Sequence, residues 1–303
     1  MTASSAYSDW IAVDWGTSNL RAWAMRDDTA VAENTSDKGM GTLDKAGFEP
    51  ALLELIEPWL GTRTTPVIAC GMVGSRQGWA EAPYTAVPAK PLSGKLAKPN
   101  VSDSRIDVRV VPGLKQISPP DVMRGEEVQI AGLMAAMPNF DGVVCLPGTH
   151  TKWAHVSAGE VVSFRTFMTG ELYGLLAKNS VLRHSVGDGW NQDAFQTAVS
   201  DALSKPEMMA ARLFSLRADQ LLNKTDAGQT RAHLSGLLIG AELAAAKPYW
   251  LGQDIVLIGD RALSEHYAEA LQTQGATSHI ADATQTTLAG LTQAHTRMKE
   301  DHA

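Results

Sequence analysis

A chain of 303 residues with 44% hydrophobic and 19% charged side chains has globular composition and enough apolar material for two domains. Its formal net charge of -7, without a long basic run, argues against a non-specific binder of nucleic acid or anionic membrane. No stretch approaches the roughly eighteen apolar residues of a membrane span, and the first residues lack the charged-then-apolar pattern of a signal peptide. Cys70 and Cys145 sit in apolar, strand-like runs and read as buried free thiols of a cytoplasmic protein.

The residues from Trp10 to Met25 read as a β-hairpin. An apolar run, Ile11 to Val13, ends in Asp14, and an alternating run, Leu20, Ala22, Ala24, follows the bend Asp14-Trp15-Gly16-Thr17-Ser18-Asn19. Such a bend can offer backbone N–H groups and the Thr17 and Ser18 hydroxyls to an anion while Asp14 holds a cation. An ordinary surface turn would look the same. Residues 30–36 predict a third strand, Phe48 to Leu60 a helix, and Pro66 to Gly71 a buried strand. The last runs into Met72 to Trp79, a loop with Gly74, Ser75, Arg76 and Gly78. The region 84–100 reads as irregular and 108–113 as a short strand. Pro119-Pro120-Asp121, ahead of an apolar-periodic run, predicts a helix start, with Glu126 and Glu127 near its first turn. Acidic residues there also serve simply to offset the helix dipole.

Gly142 to Trp153 repeats the opening pattern: an apolar strand, then Pro147-Gly148-Thr149-His150-Thr151-Lys152, then another strand. Two Gly-Thr bends about 130 residues apart, each heading its own half, point to duplicated architecture. The remainder predicts helices over 169–182, 194–204, 206–223, 232–246, 264–274 and 284–299. Strands are predicted at 255–258, ending in Gly259-Asp260, and near His279–Ile280. Gly236 and Gly240, in the fourth of these helices, are spaced for close packing or for ligand approach.

Taken together, these parts resemble the actin–hexokinase kinase fold, and within it the 2-dehydro-3-deoxygalactonokinase family. The segments carrying the resemblance are Val13 to Trp23, Ala69 to Trp79, Asp121 to Glu127, Leu146 to Trp153, Phe167 to Leu172 and Leu234 to Glu242. The resemblance implies an α/β, duplicated ribonuclease H-like fold with an interdomain cleft. Residues 1–128 would form the first domain and 129–303 the second, with the last helix, 285–303, packing back on the first. It implies ATP-dependent phosphorylation of the 6-hydroxyl of 2-dehydro-3-deoxy-D-galactonate in galactonate breakdown. A kinase for another sugar acid and a non-catalytic sugar or nucleotide sensor are the alternatives. A homodimer is compatible with the sequence.

Phosphoryl transfer asks a protein mainly to position two substrates and to neutralise charge. Asp14, Gly16, Thr17 and Ser18 are expected to face the phosphates of ATP and Mg²⁺, with Asp14 as metal ligand. Gly148, Thr149, His150, Thr151 and Lys152 are expected at the phosphates from the other half. Gly236, Gly240 and Gly259 are the expected adenosine side. Relatives of this fold place a carboxylate base at a helix start some twenty residues before the second Gly-Thr. Glu126, 22 residues ahead of Gly148, is the first candidate, Asp121 its rival and Glu127 the third, with Asp14 able to serve if the metal sits elsewhere. Arg76 and Arg124, with Gly74 and Ser75, are the candidates for the sugar acid's carboxylate, because a planar guanidinium matches a carboxylate. Surface ion pairing is the other use for either arginine.

Overall fold

The computed structural model describes residues 8–300. In chain order come β1 (Trp10–Trp15), β2 (Leu20–Arg26), β3 (Thr29–Ser36), α1 (Phe48–Ile56), β4 (Thr65–Gly71), β5 (Thr85–Ala86) and β6 (Ile106–Val110). These are followed by β7 (Leu114–Gln116), β8 (Asp121–Met123), α2 (Glu126–Ala136), β9 (Gly142–Leu146), β10 (Thr151–Ser157) and β11 (Glu160–Phe167). The last part holds α3 (Thr169–Asn179), α4 (Gln192–Ser204), α5 (Met209–Asn223), α6 (Ala227–Ala245) and α7 (Lys247–Trp250). It closes with β12 (Ile255–Ile258), α8 (Arg261–Gln272), β13 (Ser278–Ala281) and α9 (Ala283–Glu300). Among the described residues no helix is long and apolar enough to cross a membrane.

Two five-stranded sheets share one plan: β3-β2-β1-β4-β6 and β11-β10-β9-β12-β13. In each, the central strand pairs antiparallel with the strand that follows its turn and parallel with a later strand. A small third sheet runs β5-β7-β8. The chain divides into two compact units. One takes the chain up to Phe140 together with Ser157–Ser163 and the segment from Ala283; the other takes Asp141–Val156 and Phe164–Asp282.

In the first unit, one face of the sheet buries Ile11, Val13, Trp15, Leu20 and Val67 against α1, where Phe48 and Leu52 are almost wholly buried. The other face buries Trp10, Ala12, Trp23 and Ile68 against α2 and α9. Strands buried on both faces read as continuous apolar runs, as Ile11-Ala12-Val13 does. Burial of such side chains contributes about 1.5–3 kcal/mol each before the ordering entropy is subtracted. Helices α2 and α9 touch backbone to backbone: a Cβ on Gly132 would stand 1.8 Å from the Thr286 carbonyl oxygen, and one on Gly290 2.0 Å from that of Val128. In the second unit, Val143, Cys145, Leu257, Phe195 and Trp250 form the core between the sheet and helices α4, α6 and α8.

The predicted helix start after Pro119-Pro120 is corrected by the structure. Residues 121–123 form β8, and α2 begins only at Glu126, after Gly125 turns the chain with φ +108°. A side chain is disfavoured at that angle, so the glycine sets the boundary and the prolines do not.

Candidate active site

Asp14 stands near the end of β1. The register places it opposite Arg21 on β2 and beside Cys70 on β4. Arg21 Nη2 donates to its Oδ2 at 2.5 Å, and the Cys70 thiol lies 3.9 Å from Oδ1. Burial first, and then the charges of Asp14 and Glu127, push the Cys70 thiol well above its ordinary value, so it stays protonated. Beyond Asp14, the turn closes with the Gly16 N–H on the Asn19 carbonyl at 2.9 Å. Thr17 and Ser18 are exposed there. The turn is backed by residues 39–41: Met40 N–H donates to the Gly16 carbonyl and Gly41 N–H to that of Thr17. A Cβ on Gly39 would fall 2.3 Å from the Ser18 carbonyl carbon, so the backing strap can sit this close only as glycine. Gly16 differs. A Cβ there would meet only the Asn19 carbonyl, at an ordinary 3.6 Å. Its lack of a side chain leaves open space in front of the turn.

The end of β4 and the start of α2 meet beside Asp14. Gly71 has φ +91°, and a Cβ on it would stand 2.7 Å from the Trp15 carbonyl oxygen; a Cβ on Gly125 would lie 3.3 Å from the Gly71 Cα. In parallel sheets, ligands bind outside the carboxyl ends of strands, and this corner is formed by two such ends and a helix N-terminus. Glu126 is half-buried at that N-terminus, with Oε2 accepting from the Arg124 N–H at 2.9 Å. Glu127 is fully buried, and both its oxygens accept from the Gly125 N–H, at 2.7 and 2.9 Å. Burial, with the neighbouring Glu126 charge next, raises its pKa to about 8. With both oxygens already held by the Gly125 N–H, buried Glu127 braces the corner, while Glu126 is partly exposed there. Asp121 lies at the far end of β8, its Oδ1 accepting from the Val122 N–H at 2.8 Å.

Arg124 is 8% exposed. Its Nη2 donates to the Ala82 carbonyl at 2.8 Å, and its guanidinium lies over the Tyr84 ring, 4.3 Å from the centroid. Its Nε and Nη1 are buried and make no hydrogen bond within the described residues, and the buried Ser75 hydroxyl makes none either. Gly74 packs so tightly that a Cβ would sit 2.9 Å from Arg124 Nη1. Arg76, by contrast, is exposed.

The second turn follows the same plan. A Cβ on Gly148 would meet nothing closer than the His150 carbonyl at 4.0 Å, while one on Gly170, at the start of α3, would strike the Gly148 carbonyl at 2.2 Å. Thr149 is exposed, and the Glu171 N–H donates to its carbonyl at 2.9 Å. His150 Nε2 lies 2.6 Å from Glu171 Oε2. Two of the expected residues are buried at this turn. Thr151 is wholly buried, its hydroxyl 3.0 Å from that of Tyr267, and Lys152 is 5% exposed, so neither stands on the open face of the turn. Both belong to β10, whose inward face is core.

Gly148 and Thr149 line one end of a pocket of about 420 Å³, a volume suited to a small molecule. Thr169, Gly170 and Asp260 line it near them, and Tyr173, Arg231, Ser235, Leu238, Leu263 and His266 continue the wall towards Trp190. Trp190 and His266 stack with centroids 4.1 Å apart. Burial lowers the His266 pKa, which favours an uncharged, stacking ring. Gly236, Gly240 and Gly259 stand elsewhere. Cβ atoms on the first two would strike the Phe195 and Val199 carbonyls of α4 at 2.4 and 2.5 Å, and one on Gly259 the Pro147 carbonyl at 2.6 Å. Their glycine identity is set by packing. The adjacent Ser235, Leu238 and Asp260 face the pocket instead. Sequence reasoning missed Trp190, His266 and Arg231. The stretch Gly187-Asp188-Gly189-Trp190, a large aromatic in a glycine-rich loop, is the signal that was there to be read. Among the described residues no group of three or more His, Cys, Asp or Glu is assembled to hold a metal.

The family model for 2-keto-3-deoxy-galactonokinase matches residues 14–294. The chain is 40% identical over 304 residues to a protein of Rhizobium meliloti (strain 1021) named "Probable 2-dehydro-3-deoxygalactonokinase DgoK1", covering 97% of this chain and 98% of that one. To the 2-dehydro-3-deoxygalactonokinase of Escherichia coli (strain K12) it is 36% identical over 271 residues, 88% and 90% of the two chains. A crystal structure of a 2-dehydro-3-deoxygalactonokinase protein from Sinorhizobium meliloti matches at TM-score 0.88 and 39% identity, covering 95% of this chain and 99% of that one. More distant solved structures, at 12% and 15% identity and TM-scores of 0.55 and 0.54, share the actin/hexokinase-like fold alone.

Proposed function

The chain belongs to the 2-keto-3-deoxy-galactonokinase family, and from that premise we propose how its residues divide the work of an ATP-dependent sugar-acid kinase. The reaction transfers the γ-phosphoryl group of ATP to the 6-hydroxyl of 2-dehydro-3-deoxy-D-galactonate, giving the 6-phosphate and ADP. The observation that carries the assignment of residues is the pair of bare glycine turns. At Gly16 and Gly148 the missing side chain leaves open space beside the exposed Thr17, Ser18 and Thr149, while Gly39 and Gly170 behind them are demanded by packing. Backbone that is open without a packing reason suits close approach of phosphate.

The second unit's pocket takes the adenosine, its base against Trp190 and His266 and its phosphates leaving past Thr169, Gly148 and Thr149. In the first unit, Asp14 would hold a Mg²⁺ ion; magnesium asks the protein for only one or two carboxylates, so a single aspartate fits. That ion neutralises charge on the transferring group when bound. Arg124 receives the sugar acid's carboxylate. Its buried Nε and Nη1 have no partner among the described residues, so both can donate to it, and Ser75 adds a hydroxyl. Glu126, open at the head of α2, orients the 6-hydroxyl and accepts its proton as the oxygen bonds to phosphorus and the bond to ADP breaks. A carboxylate is a weak base, so it contributes chiefly orientation. Two buried free thiols and a metabolic substrate fit a cytoplasmic enzyme.

A coupled ADP-release assay on a panel of 2-keto-3-deoxy acids tests the reading. Release with the galacto isomer, and phosphate at its terminal carbon, is the expected result. Release with a different acid alone moves the enzyme to another acceptor, and binding of ATP with no turnover on any acid makes the chain a sensor.

A further inference from the structure

Glu242 is buried in α6, 3% exposed, on a helix whose other buried residues, Thr230 apart, are glycine or apolar. A buried carboxylate costs several kcal/mol unless donors surround it. Here they do, from three elements. Trp153 Nε1, on β10, donates to Oε1 at 2.7 Å. The Tyr267 hydroxyl, on α8, donates to Oε2 at 2.8 Å, and the Thr169 hydroxyl, first residue of α3, donates to the same oxygen. With its proton committed to Glu242, Tyr267 receives one from Thr151, 3.0 Å away at the start of β10. One oxygen therefore holds both α3 and α8 by their side chains, and the other holds β10.

Two of these partners reach the pocket. Thr169 and Tyr267 line it, while Glu242 and Trp153 do not. Thr169 leads into Gly170, which packs on the Gly148 carbonyl, and Thr151 is the residue that leaves the turn. An apolar residue at 242 would fill the same volume without fixing any of the three elements relative to the others. We infer that Glu242 is a positioning residue for the nucleotide: through Thr169, Tyr267 and Trp153 it holds the Gly148–Thr149 turn, the start of α3 and the α8 wall in the arrangement that receives the phosphates. The inference rests on this pocket being the nucleotide site.

Two variants test it, neither touching the pocket. Glu242→Gln turns one of the two acceptor oxygens into an amide donor, opposing the hydroxyls that point at it. Trp153→Phe keeps an aromatic ring and removes only the N–H. ADP binding is measured by calorimetry on the full chain, which needs no sugar acid, beside KM for ATP and for the acid. Glu242→Gln is expected to weaken ADP and raise the ATP KM by roughly tenfold, the scale of a misplacement transmitted from outside a site, with the acid KM within about twofold. Trp153→Phe is expected to move the same quantities in the same direction by about threefold, and it decides the matter alone should Glu242→Gln not fold. Folded variants that bind ADP as the wild type does, or that raise both KM values equally, overturn the inference. A wild type that fails to bind ADP removes the pocket assignment and this inference with it.

Discussion

Asp14 has one carboxylate oxygen held by Arg21 and the other turned towards the corner of Gly71 and Cys70. Replacing it with Asn keeps shape and removes charge. Asp14→Asn is expected to abolish ADP release while thermal unfolding stays within about 1 kcal/mol of wild type, as for a partly exposed substitution away from the core; full activity would end its role at the metal. Arg124→Lys keeps the charge but loses the planar donors Nε and Nη1, so the sugar-acid KM should rise about tenfold, with the ATP KM little changed. Arg76→Ala, exposed, serves as the comparison and is expected to have the smaller effect. Glu127 gives a pH prediction. Its pKa is about 8 in the fold against 4.5 when unfolded, so the fold favours the neutral acid. That contribution is complete below pH 4.5 and is lost as pH rises through 8, at up to roughly 1.4 kcal/mol per pH unit. Glu127→Gln should remove the slope: denaturant titrations at pH 5 and 9 should show the variant gaining on wild type as pH rises. Parallel curves would mean that the buried carboxyl does not titrate in this range.

At the scale of elements, the two turns are separated by what stands behind them. Gly16→Ala adds a methyl that the fold accommodates, whereas Gly39→Ala drives one into the Ser18 backbone. Gly39→Ala is therefore expected to lower stability by about 1–3 kcal/mol, and Gly16→Ala to leave stability nearly unchanged while turnover falls. Chemical denaturation and the ADP assay read the two effects apart; a Gly16→Ala enzyme of full activity would remove phosphate from that turn. The contrast also shows what was legible beforehand. Both hairpins announce themselves, because alternation and a glycine turn are local signals. The head of α2 does not, since paired prolines suggest a helix start that β8 and the positive φ of Gly125 postpone by several residues. Nor does composition reveal that α4 packs directly on Gly236 and Gly240. Packing partners distant in sequence decide such glycines.

For the whole molecule, the sheet order repeats: a central strand, two antiparallel neighbours on one side and two parallel ones on the other in the first unit, and the same order of five strands in the second. Duplication was readable from the paired Gly-Thr bends. The pocket built from α3, α6, α8 and the Trp190 loop was not, because its aromatic and basic residues are scattered over more than seventy positions with no shared period. Its walls come from one unit, and the Asp14–Arg124–Glu126 corner from the other. The most direct measurement is a crystal structure with a non-hydrolysable ATP analogue and 2-dehydro-3-deoxy-D-galactonate. It should show the base beside Trp190 and His266, the sugar acid's carboxylate on the Arg124 guanidinium, and Glu126 as the carboxylate nearest the 6-hydroxyl. A base lodged outside that pocket, or an acid that leaves Arg124 unpaired, would contradict the account.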